Sequence, residues 1–139
     1  MKLVKLSLLF FLGLVLFTGC SNDDDNSSQT KVPINGIWNL KNVNGGFSPI
    51  NIDYNQGEVL WTFNQTNSML IVENNILTTG PEDIYAGIDS GSYSYTIEID
   101  GETQTLLIDG AERGFLIFSD GNLEINDSAA DGFVSEFER

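Results

Sequence analysis

Over residues 57–64 the chain reads GEVLWTFN, so that Val59, Trp61 and Phe63 share one face while Glu58, Leu60 and Thr62 share the other. The same two-residue period runs through SYSYTIEID, where Tyr93, Tyr95, Ile97 and Ile99 alternate with Ser92, Ser94, Thr96, Glu98 and Asp100. Successive side chains of a strand point to opposite faces, so this alternation predicts strands with one face buried and one wet. Along the chain it predicts strands near 36–42, 57–64, 68–74, 92–99, 103–109, 114–119, 122–126 and 132–138, and no helix. Asp120-Gly121 between two apolar runs marks a hairpin, because the favoured two-residue turns require positive φ, and Asp100-Gly101 marks another. The longest connection, residues 75–91, contains Gly80, Pro81, Gly87 and Gly91 and is expected to run as a loop across one end.

Eight short strands in succession predict an all-β fold: an eight-stranded antiparallel up-and-down barrel, in which closure removes the exposed sheet edges. A β-sandwich is the alternative, since the same alternation serves two packed sheets. Residues 32–139 are enough for one domain with a single modest core.

The alternation is absent from the N-terminus. Lys2 and Lys5 precede a run, residues 6–17, that is apolar apart from Ser7 and Gly13; Thr18 and Gly19 then lead into Cys20. A membrane span needs about 20 apolar residues, and this run is shorter and is closed off by Asp23, Asp24 and Asp25. Charge, apolar core, small pair and cysteine in that order resemble the signal and lipobox of bacterial lipoproteins. The resemblance implies a signal peptide over residues 1–19, cleaved before Cys20, whose thiol is then diacylated. A disulfide is the competing role for a cysteine, but Cys20 has no partner in the chain. Each buried methylene adds about 0.8 kcal/mol, and two or more acyl chains hold a protein stably where one is marginal.

Residues 20–31 carry no large apolar group and read as a flexible acidic tether. Within it, Asp23, Asp24 and Asp25 resemble the export signal that directs certain Gram-negative lipoproteins to the outer face of the outer membrane. A solvated linker is the alternative reading of the same three residues. The implied location is the outer membrane, lipid-anchored and exposed at the cell surface.

Charge and missing residue types narrow the chemistry. The chain has 20 acids against 6 bases, and removal of Lys2 and Lys5 with the signal leaves 4, a net charge of about −16. Such a surface repels phosphate backbones and argues against nucleic acid as a partner. There is no histidine, so a Ser-His-Asp arrangement and histidine zinc sites are unavailable. Paired carboxylates serve glycoside hydrolysis, but among 20 acids some pair falls close by chance and carries no signal. NIDYNQGE alternates Asn51, Asp53 and Asn55, yet an EF-hand needs glycine at its sixth position and glutamate at its twelfth, where this chain has Gln56 and Thr62. The expectation is a protein without catalytic residues, metal or cofactor.

Gly36-Ile37-Trp38, at the start of the first predicted strand, resembles the G-x-W motif of lipocalins, and DGFVSEFER, residues 131–139, resembles the closing strand of that group. The resemblance spans nearly the whole domain. It implies that Trp38 closes the base of the barrel and that a basic residue packs over its indole, with Arg139 the first candidate and Arg113 the second. Inside such a barrel Trp61, Phe63, Tyr93 and Tyr95 either line a ligand pocket or fill the core; eight strands leave room for either. A base closed by Trp38 puts any binding site at the opposite end. There the connection over residues 43–56 carries Phe47, either as a contact for a ligand or partner or as a lid tucked into the barrel. The implied partners are a membrane, through the lipid anchor, and a small apolar ligand; the alternative is a packed barrel that presents its loops to a surface protein.

Overall fold

The computed structural model describes residues 34–130 and 132–139. Cys20 and the tether acids Asp23, Asp24 and Asp25 lie outside the described residues. Nine strands form one antiparallel sheet: β1 (Gly36–Gly45), β2 (Ile50–Asp53), β3 (Val59–Asn64), β4 (Met69–Asn74), β5 (Gly91–Asp100), β6 (Thr103–Ile108), β7 (Ala111–Ser119), β8 (Asn122–Asn126) and β9 (Phe133–Glu138). From β3 to β9 each strand pairs with the next, and β9 returns to β1 with Leu40 opposite Phe137 and Val43 opposite Ser135. That last pairing closes an eight-stranded barrel and rules out the open sandwich.

β1 serves two partners along one edge. Gly36–Asn39 lie against Phe63–Leu60 of β3, and Asn42–Gly45 lie against Asp53–Ile50 of β2. β2 is thus the ninth strand, a short flap on the barrel wall beyond the point where β3 begins. The sequence reading placed a loop there; instead β1 runs on to Gly45 and turns through residues 46–49 into β2. A single helical turn, α1 (Pro81–Ile84), stands in the long connection, with Pro81 at its first position, where the missing N–H costs nothing.

Tight turns join the central strands. Asp120 (φ 49°) and Gly121 (φ 83°) both take positive φ between β7 and β8, as do Asp109 (49°) and Gly110 (79°) between β6 and β7, which is the requirement of a type I′ turn. The barrel interior is apolar: Trp38, Leu40, Val59, Trp61, Phe63, Leu70, Val72, Leu106, Ile108, Leu123 and Phe137 are buried. Each such side chain contributes about 1.5–3 kcal/mol on leaving water.

Two bulges adjust this pattern. Leu40 and Asn42 of β1 face consecutive residues of β9, leaving Lys41 extra, and the extra residue switches the inward positions from even (Trp38, Leu40) to odd, so that Val43 (2 % exposed) points into the core. On β7, Glu112 and Gly114 face the consecutive residues Leu107 and Leu106 of β6, leaving Arg113 extra.

Candidate functional site at the open end of the barrel

The two ends of the barrel differ. At the end where β1 starts and β9 finishes, Trp38 is 2 % exposed, donates its indole N–H to the Ile34 carbonyl at 2.7 Å and lies 6.3 Å from the Phe118 ring. Arg139 stands over it, its Cζ 4.4 Å from the indole centroid, and its Nη2 donates to the Asn35 carbonyl at 3.2 Å. Gly36 opens the strand at φ 117°. Arg113, the second candidate for the place over Trp38, is at the other end of the barrel, because β7 begins where β9 begins.

The middle is filled by rings. Trp61 lies 5.1 Å from Phe137 and 6.0 Å from Phe63, and Phe63 meets Tyr95 edge-on at 5.1 Å. Burial raises the Tyr95 hydroxyl's pKa. Of the four aromatics proposed from the sequence for a pocket, Phe63 and Tyr95 are thus core, and half-buried Tyr93 is tied by its hydroxyl to the Asp89 carbonyl at 2.7 Å. Trp61 is on the wall of a cavity.

That cavity, about 250 Å³, is at the end opposite Trp38. Val43, Trp61, Ile125 and Phe137 supply its barrel wall, and Phe133 at the start of β9 continues it. The chain after α1 crosses over it: Tyr85 packs on Phe133 at 5.3 Å, Ala86 is 3 % exposed, and Gly87 runs so close to Trp61 that a Cβ there would sit 3.4 Å from its Cζ2. The crossing segment is pinned to β2 by Tyr54, whose hydroxyl donates to the Glu82 carbonyl at 3.0 Å. Its pKa is pushed up to about 12, first by burial and then by the negative field of Glu82, Glu58 and Asp83.

Glu112, Arg113 and Asp127 form the polar rim. In an unbroken strand neighbours 112 and 113 would face opposite ways; the bulge lets both line the cavity. Gly114 makes that bulge possible, since its φ is 130° and a Cβ there would stand 2.6 Å from the Asn126 carbonyl oxygen. Phe47, by contrast, is no lid: it is 91 % exposed at the tip of the β1–β2 turn. Sequence reading missed Tyr85, Phe133 and the rim role of Arg113. The one signal available was Gly114, a glycine just before an apolar run, which marks a bulge or a close backbone approach.

Among the described residues no group of three or more Asp, Glu, His or Cys side chains is placed to hold a metal ion, and no helix is long and apolar enough to cross a membrane. No protein-family model, curated protein or solved structure matches the chain. The geometry of the open end is therefore what speaks to function. A cavity of about 150 Å³ lined by aliphatic and aromatic side chains accepts benzene, so the larger space here suits one small apolar body with a polar end at the rim.

Proposed function

We propose that the protein is a non-enzymatic, lipid-anchored surface module with a lipocalin-like barrel that holds one small apolar molecule at the end opposite Trp38. The observation that carries this reading is the cavity of about 250 Å³ between the barrel mouth and the segment over residues 84–88, walled by Val43, Trp61, Ile125 and Phe137 and rimmed by polar side chains. The order of charge, apolar run, small pair and Cys20 supports lipidation, and Asp23, Asp24 and Asp25 behind it support export to the outer face of the outer membrane. Native mass spectrometry of the signal-free domain purified from its own host tests the binding: a stoichiometric small molecule is expected, and it is lost when Val43→Trp fills the cavity.

The ring-packed middle favours a second reading, a solid scaffold that offers its open-end loops to a surface protein. Phe47 and Leu77, 91 % and 98 % exposed, are the contacts it would use. If no small molecule is retained, and a surface partner crosslinks through Phe47, the scaffold reading replaces the first.

A further inference from the structure

Among the described residues Lys41 pairs with Glu138 at 3.8 Å and Arg139 lies on Trp38, but Arg113 makes no ion pair or side-chain hydrogen bond. It is an unpaired cation on a protein of net charge −14, and the bulge directs it to the mouth of a cavity whose barrel wall is apolar and whose rim is polar. A second donor lies behind the wall of the same cavity. The indole N–H of Trp61, in a side chain only 5 % exposed, is buried and has no acceptor, a deficit that is costly for a buried polar group. Both groups call for an acceptor on whatever enters.

We infer that the cavity is selective for a small apolar monocarboxylate, its apolar body against the Trp61 and Phe137 rings and its carboxylate on the Arg113 guanidinium. This rests on the binding reading above and names the ligand class. A guanidinium presents paired donors that match a carboxylate. Glu112 and Asp127 share the rim and repel anions, which sets an upper limit on the ligand's charge: a phosphate or dicarboxylate brings a second negative charge to a mouth with two carboxylates and one guanidinium. The Trp61 nitrogen is sealed by its surroundings, so an acceptor reaches it only when the wall gives slightly. Beside the indole that wall is Gly87, which has no side chain to move.

The test is calorimetric titration of the signal-free domain with octanoate, octanol and octylammonium, the two ions below their micellar concentrations and octanol below its solubility. Octanoate is expected to bind, and Arg113→Gln to weaken it about fivefold while leaving octanol unchanged, the scale of a partly exposed ion pair. Arg113→Lys, which keeps the charge but not the paired donors, recovers part of the loss. Trp61→Phe keeps the ring and removes the N–H, and is expected to weaken octanoate further. Octanol bound as well in Arg113→Gln as in the native protein, with octanoate also unaffected, overturns the selectivity and leaves the cavity reading standing. Octylammonium bound more tightly than octanoate overturns it in favour of the rim acids. Failure of all three ligands overturns the cavity reading and the selectivity together.

Discussion

Trp38 and Arg139 are 101 positions apart in the chain, and closure of the barrel puts one over the other at 4.4 Å. The two contribute differently. Removing a buried indole costs about 3–5 kcal/mol, while a cation over an aromatic face at an exposed site contributes about 0.5–1 kcal/mol. Trp38→Ala is therefore expected to lower the urea midpoint far more than Arg139→Ala, with a coupling in the double-mutant cycle of about 0.5–1 kcal/mol. A coupling of zero would remove the energetic meaning of the stacking and leave Trp38 a core residue. At this scale the sequence was legible where a residue's role follows from its face: Trp61, Phe63 and Tyr95 are buried as their alternation predicts. It was silent where the role follows from a partner strand. That Trp61 is a cavity wall while Phe63 is core depends on what crosses above each of them. That Arg113 is a rim residue depends on a register shift against β6.

The elements were read correctly wherever alternation and turn chemistry agree, as in β7 and β8 around Asp120-Gly121. They were missed where an element is too short to show a period. β2 offers only Ile50 and Ile52, both half-buried, and α1 is one turn. β7 begins at Ala111 and not at the predicted 114, because AERG contains the bulge and does not alternate. β2 and α1 matter together, because Tyr54, just beyond β2, bonds to the Glu82 carbonyl in α1. Its hydroxyl has a pKa of 10.0 as a free group and about 12 in the fold. The neutral form is favoured in the folded state, so this contribution to stability is complete below pH 10 and is lost as pH rises through 12. Urea midpoints measured from pH 9 to pH 12 are expected to fall more steeply in the native protein than in Tyr54→Phe. At pH 9 the variant is the weaker by about 0.5–1.5 kcal/mol, the worth of the bond, and the gap narrows toward pH 12. Parallel curves would mean that Tyr54 titrates as if unfolded.

At the scale of the molecule, what joins these ends is one pairing, β9 against β1. From β3 to β9 every neighbour in the barrel is also a neighbour in sequence, and β1 and β3 are separated only by the short β2, so only β9–β1 links the two termini of the domain. The whole apolar interior depends on that link: Phe137 is 1 % exposed, sits opposite Leu40 and Leu123, and packs tilted against Trp61 at 5.1 Å. A chain ending at Gly132 loses β9 and leaves two long edges, on β1 and on β8, that are templates for pairing with other molecules. It also loses the Phe137 ring, worth about 3–5 kcal/mol by itself, out of a total stability of about 5–15 kcal/mol for a domain. The truncated chain is expected to lose its cooperative urea transition and to elute as aggregates on size exclusion. β2 supplies the control, because it pairs with β1 alone and takes no part in closure. The double variant Ile50→Ser, Ile52→Ser is expected to remain monomeric and to unfold cooperatively at a somewhat lower midpoint. If the truncated chain stays monomeric with a transition like that of the double variant, the barrel is held by its hairpins and not by its closure. The cavity at the open end, one wall of which is β9, would then have to form without Phe133 and Phe137.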